Sequence, residues 1–202
     1  MKRTAIYLLL SLAIINGCSK SATEPEITAS ELLAQGWTYF NAGSFPAALT
    51  SFQQAKAKDP ALVDAYNGSG WCQGILGYRD DALATFKSGL IRQSSNLEMR
   101  AGISFVYASL DSCQAAIQSD SLVLLSDSLW GFSHKYLLSA DQVMDYKELN
   151  LLLAECYYKL GNFTASLDAV KKLDPAFDIA DVSGSDGQKE LLSKIESLAS
   201  AI

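Results

Sequence analysis

Basic charge, histidine and proline are all scarce in this sequence, and each shortage excludes a class of function. Lys and Arg number 16 against 22 Asp and Glu, for a formal net charge of −6, and the basic residues stand singly or in pairs such as Lys171-Lys172. A nucleic-acid binder needs a basic face for phosphates, so no nucleic-acid partner is expected. The only histidine is His134, in Gly131-Phe132-Ser133-His134-Lys135, with no cysteine or second histidine near it in sequence. A metal site or a nucleophile–histidine pair needs such neighbours. His134 therefore reads as a loop or capping residue, and no enzyme activity, catalytic residue, metal or cofactor is expected. Four prolines in 202 residues, beside abundant Ala, Leu and Ser, favour helix over sheet. What the chain does have is apolar material, 49% of its residues, enough for one ordinary core or one short repeat array.

The first residues stand apart from the rest. Met1-Lys2-Arg3 is positive, and residues 5–15 (AIYLLLSLAII) form an apolar run too short for the ~20 residues that span a bilayer. The run ends in Ile15-Asn16-Gly17-Cys18, which resembles the lipobox of bacterial lipoprotein signal peptides. Gly17 and Cys18 match that pattern, whereas Asn16 departs from the small or apolar residue usual there. The resemblance implies removal of residues 1–17 and a diacylglycerol on the Cys18 thiol. Several acyl chains, at ~0.8 kcal/mol per buried CH₂, would then hold the protein on a membrane. Ser19, in place of aspartate, implies by resemblance to Gram-negative sorting an outer-membrane site facing the periplasm. An uncleaved anchor or an ordinary secretory peptide are the alternatives. Residues 18–28 then comprise the lipidated cysteine and a polar, flexible tether.

Two Gly-Trp pairs, Gly36-Trp37 and Gly70-Trp71, lie 34 residues apart. Counted from residue 29 at that period, Gly36, Tyr39, Gly43, Phe45, Ala48, Phe52, Ala55 and Pro60 fall at positions 8, 11, 15, 17, 20, 24, 27 and 32. Counted from Val63, Tyr66, Gly70, Gly77, Ala82 and Phe86 fall at positions 4, 8, 15, 20 and 24. This pattern resembles the tetratricopeptide repeat. A further unit from Lys147 carries Ala154, Tyr157, Gly161 and Phe163 in register. Between them, a degenerate unit from Leu97 keeps Phe105, Tyr107 and Ala116 and holds about sixteen extra residues around 128–144. The resemblance implies an all-α protein, a short α-solenoid of antiparallel helix pairs. Its units are 29–62, 63–96, 97–146 and 147–180, followed by a linker and C-terminal helix in 181–202.

Local chemistry supports the same division. Thr28-x-x-Glu31 is a capping box before a helically spaced apolar run, Asn41-Ala42-Gly43 is a stop, and Ser44 can cap the next helix. Asp59-Pro60 ends the second helix, because proline lacks the backbone donor and clashes with the preceding turn. Expected helices cover 29–41, 45–58, 63–76 and 79–93, then further helices to about 127, 146–160 and 188–201. In the last, Leu191, Leu192, Ile195, Leu198 and Ile202 form a stripe that covers the final repeat.

In the tetratricopeptide family, position 9 of each first helix, with positions 2, 5, 12 and 13, faces the concave groove that receives partners. Trp37, Trp71 and Phe105 occupy position 9, Asn67 position 5 and Phe40 position 12. The resemblance therefore implies a partner or ligand groove built from Trp37, Phe40, Asn67, Trp71 and Phe105, with the two tryptophans partly exposed side by side. Gly70 belongs to the repeat signature. Gly68 and Gly74 do not, and each costs a helix about 1 kcal/mol relative to alanine. They imply either close backbone packing or room for a ligand. The competing reading fills the groove with the protein's own tail or its 128–144 insertion. Cys72, Cys113 and Cys156 read as buried free thiols, with a Cys72–Cys113 bridge as the alternative in an oxidising compartment. The functional expectation is a membrane-anchored adaptor lipoprotein with protein partners in the bacterial cell envelope. The alternative is a glycan- or peptide-binding lipoprotein that uses the aromatic groove.

Overall fold

A computed structural model of the chain describes residues 26–134 and 143–202. The expected signal peptide, Cys18 and most of the tether lie outside the described residues. Among the described residues there are nine helices: α1 (Ala29–Asn41), α2 (Phe45–Lys58), α3 (Val63–Ile75), α4 (Arg79–Arg92), α5 (Leu97–Ser109), α6 (Cys113–Ser126), α7 (Tyr146–Lys159), α8 (Phe163–Leu173) and α9 (Ser185–Ala201). The fold is all-α, as expected. The chain packs in consecutive pairs, α1 on α2, α3 on α4, α5 on α6 and α7 on α8, and the first helices α1, α3, α5 and α7 lie side by side. Helix α9 packs on α7 and α8 with Leu191 and Ile195 buried, so it covers the last pair, whereas Leu192 of the expected stripe is exposed.

Caps and turns set the boundaries. The Thr28 and Glu31 side chains close a capping box at α1, and Asp145 with Glu148 closes a second at α7. Gly43, Gly77 and Gly161 end first helices with φ of 72°, 82° and 75°, in the left-handed region where a Cβ is penalised. The third unit places Asp111 (φ 52°) at the equivalent point, one of the few residue types that tolerate it. One expected cap is absent: Ser44 precedes α2 but its side chain makes no capping hydrogen bond, and Pro46, in the first turn of α2, removes one of the donors that would need it.

Packing answers the question raised by the glycines. A Cβ on Gly36 or Gly70 would come within about 2.5 Å of a Phe52 or Phe86 ring carbon respectively, and Gly68 and Gly102 are equally tight against the same two rings. Each phenylalanine is thus clamped between a glycine of its own pair and one of the next. Gly74 differs, since its Cβ would meet only Val106 Cγ2 at 3.6 Å. In the third unit the residue 34 positions beyond Phe86 is Asp120, fully buried with neither carboxylate oxygen hydrogen-bonded. Burial pushes its pKa up to about 8.

The core is divided accordingly. Trp37, Phe40, Phe52, Trp71, Phe86, Trp130 and Phe132 belong to one cluster, while Cys113, Cys156, Leu167, Val170 and Leu191 belong to a second. Cys113 and Cys156 share the second cluster, where burial and the neighbouring Cys113 thiol push the Cys156 pKa up, and Cys72 lies in the other cluster. The pairing considered between Cys72 and Cys113 is therefore not the one that the fold brings together. All three thiols are free and buried.

A face covered by its own insertion

The face made by α1, α3 and α5 carries the residues expected to form the groove, and the fold does bring them together. Trp71 lies 6.2 Å from Phe105, and Trp37 lies 5.3 Å from Phe40, centroid to centroid. Polar side chains join successive first helices. Trp37 Nε1 donates to Asp64 Oδ2 at 2.8 Å, and Asn67 Nδ2 donates to Glu98 Oε2 at 2.5 Å and to Asp64 Oδ1 at 3.4 Å. Two acceptors at Nδ2 fix the orientation of the Asn67 amide.

The expected exposure is not found. Trp37 and Trp71 are only 8% and 5% exposed, Phe40 and Asn67 are buried, and Phe105 is half-buried. The cause is the insertion between α6 and α7. Phe132 sits over the face with its ring 4.7 Å from Trp71, 6.0 Å from Phe40 and 6.4 Å from Trp37. His134 stacks flat on Trp37, 3.3 Å between centroids at an interplanar angle of 5°. Between them, the Ser133 N–H (2.9 Å) and hydroxyl (2.5 Å) both donate to Glu98 Oε1. At its base the Phe132 N–H donates to the Met144 carbonyl at 2.8 Å, and Gly131 bridges Asp145. An uncovered ladder of three aromatic rings is costly to leave in water, and the insertion supplies the fourth ring that buries it. Of the two readings of the groove, the structure contains the self-filled one.

His134 is thus a loop residue as expected, with a stacking role that its sequence neighbours did not reveal. Burial lowers its pKa, and the negative charges of Glu98 and Asp64 oppose that shift. Glu98 was missed, and Phe132 and Ser133 were anticipated only as part of the 128–144 insertion. Glu98 stands at position 2 of its repeat, a groove position, and that was the available signal. Three buried polar atoms on α3 remain without a protein partner: Asn67 Oδ1, Trp71 Nε1 and Gln73 Oε1. Beside Trp71 is a cavity of about 220 Å³, lined by Gly74, Ile75, Phe105, Val106 and Met144 among others. No group of three or more metal-ligating side chains occurs among the described residues.

No family model matches the sequence and no curated protein matches it. Similarity appears at the level of solved structures. A tetratricopeptide repeat protein from Parabacteroides merdae superposes with a TM-score of 0.58 at 16% identity, covering 86% of this chain. This chain spans only 60% of that protein's length. The MamA protein gives a TM-score of 0.62 at 16% identity, covering 84% of this chain and 89% of its own. YrrB, described as a tetratricopeptide protein with an unusual peptide-binding site, gives 0.62 at 15% identity, covering 84% and 86%. At such identities the likeness establishes the fold alone. The protein is a short tetratricopeptide-type solenoid.

Proposed function

We propose that this protein is a non-enzymatic adaptor, lipid-anchored through Cys18 in the bacterial cell envelope, whose α1–α3–α5 face recognises a protein partner. The observation that carries the adaptor reading is the fold itself, a stack of helix pairs whose first helices form one continuous row of aromatic and polar side chains beneath Phe132 and His134. The anchor rests on the Ile15-Asn16-Gly17-Cys18 pattern after an eleven-residue apolar run, with a polar tether leading to α1. An outer-membrane site facing the periplasm follows from Ser19 by the same resemblance. None of the described helices is long and apolar enough to cross a membrane.

One observation favours peptide recognition as the mode of binding. Asp64, Asn67 and Glu98 converge beside the tryptophans, and Glu98 already holds a backbone N–H. The peptide-binding site described for YrrB lends the same reading support by likeness of fold. The test is fractionation of cells producing the wild type and Cys18→Ser. The wild type is expected in the membrane fraction, and the variant released or left with its leader uncleaved. Identical processing and retention of both would remove the anchor from the account. Proximity crosslinking of the anchored protein should yield a discrete protein adduct, and its absence would count against the adaptor.

A further inference from the structure

The segment that covers the aromatic face is an imperfect fit to it. Three mismatches are visible. First, the Asn67 Oδ1 acceptor and Trp71 Nε1 donor lie beneath the segment with no partner, although buried polar groups are ordinarily paired. Second, a cavity of about 220 Å³ beside Trp71, open to solvent and lined by α3 and α5 residues, leaves room next to the ring that Phe132 contacts. Third, the face carries two carboxylates, Asp64 and Glu98, and none of the ion pairs among the described residues involves either one. Among the described residues, the side chain stacked on Trp37 is His134, and burial disfavours its protonation. A residue cationic at all physiological pH values would do at that place what histidine does not. It would stack on the tryptophan ring as a cation and neutralise Asp64 and Glu98 at once.

Starting from the peptide-binding reading above, we infer that Phe132-Ser133-His134 is an internal stand-in ligand. It is displaced by an extended partner peptide with an aromatic residue, a backbone N–H for Glu98, and an arginine or lysine two residues after the aromatic. The aromatic takes the site of Phe132 against Trp71 and Phe40. The next residue gives its N–H to Glu98 Oε1, as Ser133 does. The cation replaces His134 over Trp37. The chain's own copy holds the face closed until such a peptide arrives, because an intramolecular ligand acts at a high effective concentration.

The experiment uses two fluorescent synthetic peptides and the protein without its leader. One peptide carries the sequence of residues 127–134 (DSLWGFSH) with arginine in the last place, and the other has glutamate there. Anisotropy is expected to show the arginine peptide binding wild type at least tenfold more tightly than the glutamate peptide, with affinity falling as salt is raised. Ser133→Ala with His134→Ala, which loosens the internal copy without touching the buried Phe132, should strengthen arginine-peptide binding at least tenfold. His134→Arg should weaken it and raise the melting temperature. Glu98→Gln with Asp64→Asn should weaken it at least tenfold. Absence of binding to both the wild type and the loosened variant, with circular dichroism showing both folded, would overturn the inference. Equal binding of the two peptides would also overturn it. Neither result bears on the Cys18 fractionation, so failure here leaves the anchored adaptor standing.

Discussion

Phe52 on α2, Phe86 on α4 and Asp120 on α6 follow one another at steps of 34 residues, and all three are buried. In the first two pairs the ring fills a slot between facing glycines. In the third, a carboxyl without a hydrogen-bond partner occupies the equivalent place. The same division runs through the molecule: an aromatic core under the first three first helices, and an aliphatic and thiol core under α7, α8 and α9. The aromatic half has ring surface on its open side, and Phe132 and His134 of the insertion lie over it. The difference teaches that the repeat geometry is set by helix pairing and turns, whereas the contents of each slot vary with what the neighbouring helix leaves room for.

The comparison can be broken at its strongest points first. Phe86→Ala should cost about 3–5 kcal/mol, because the ring is buried and glycines cannot collapse into the space it leaves. Urea unfolding measures this, and a loss under about 1 kcal/mol would mean the slot is not a core site. Trp71→Ala should cost a similar amount, since the ring packs on Phe86 and beneath Phe132 rather than facing solvent.

Asp120 gives the next effect, with the opposite sign. Its pKa is about 8 folded and ~3.9 unfolded, so between those values the native state holds a proton that the unfolded state has lost. The Asp120 contribution is therefore present below about pH 4 and lost as pH rises toward 8, with a slope approaching about 1.4 kcal/mol per pH unit. Asp120→Asn should remove that slope, and stability curves from pH 5 to 8 for the two proteins should diverge steadily. Parallel curves would place the carboxyl in water. Gly70→Ala should follow at about 1–3 kcal/mol of destabilisation, because its Cβ meets the Phe86 ring. The smallest effect expected is Thr28→Ala, about 1 kcal/mol from loss of the α1 capping box, read as a drop in melting temperature.

Much of this architecture was legible in the sequence, because it is written in local signals. The bounds of α1 and α2 follow from Thr28-x-x-Glu31, Gly43 and Asp59-Pro60, and α3, α4 and α7 end one residue short of expectation. Helix α9 starts three residues early, at Ser185, where no sequence cap stands out. The residues of the aromatic face were legible too, since a fixed period puts them at one position of each repeat. Its covering was legible only as an alternative, with the tail and the 128–144 insertion both candidates, and the residues that do it were not. Phe132, Ser133 and His134 reach the face through a connection outside the repeat, and no periodicity says where such a segment will lie. Asp120 was invisible for the converse reason: a carboxylate at helical spacing reads as surface until the fold shows it in a phenylalanine's slot.

The central claim is that the aromatic face is closed by the protein's own insertion, and the native tryptophan fluorescence tests it most directly. All three tryptophans, Trp37, Trp71 and Trp130, are buried, the first two beneath Phe132 and His134. The emission of the unliganded protein is expected to be blue-shifted and resistant to acrylamide, and Phe132→Ala should move it to the red and make it quenchable while the helical dichroism is kept. Emission already at the wavelength of water-exposed tryptophan in the wild type, unchanged by Phe132→Ala, would contradict the account.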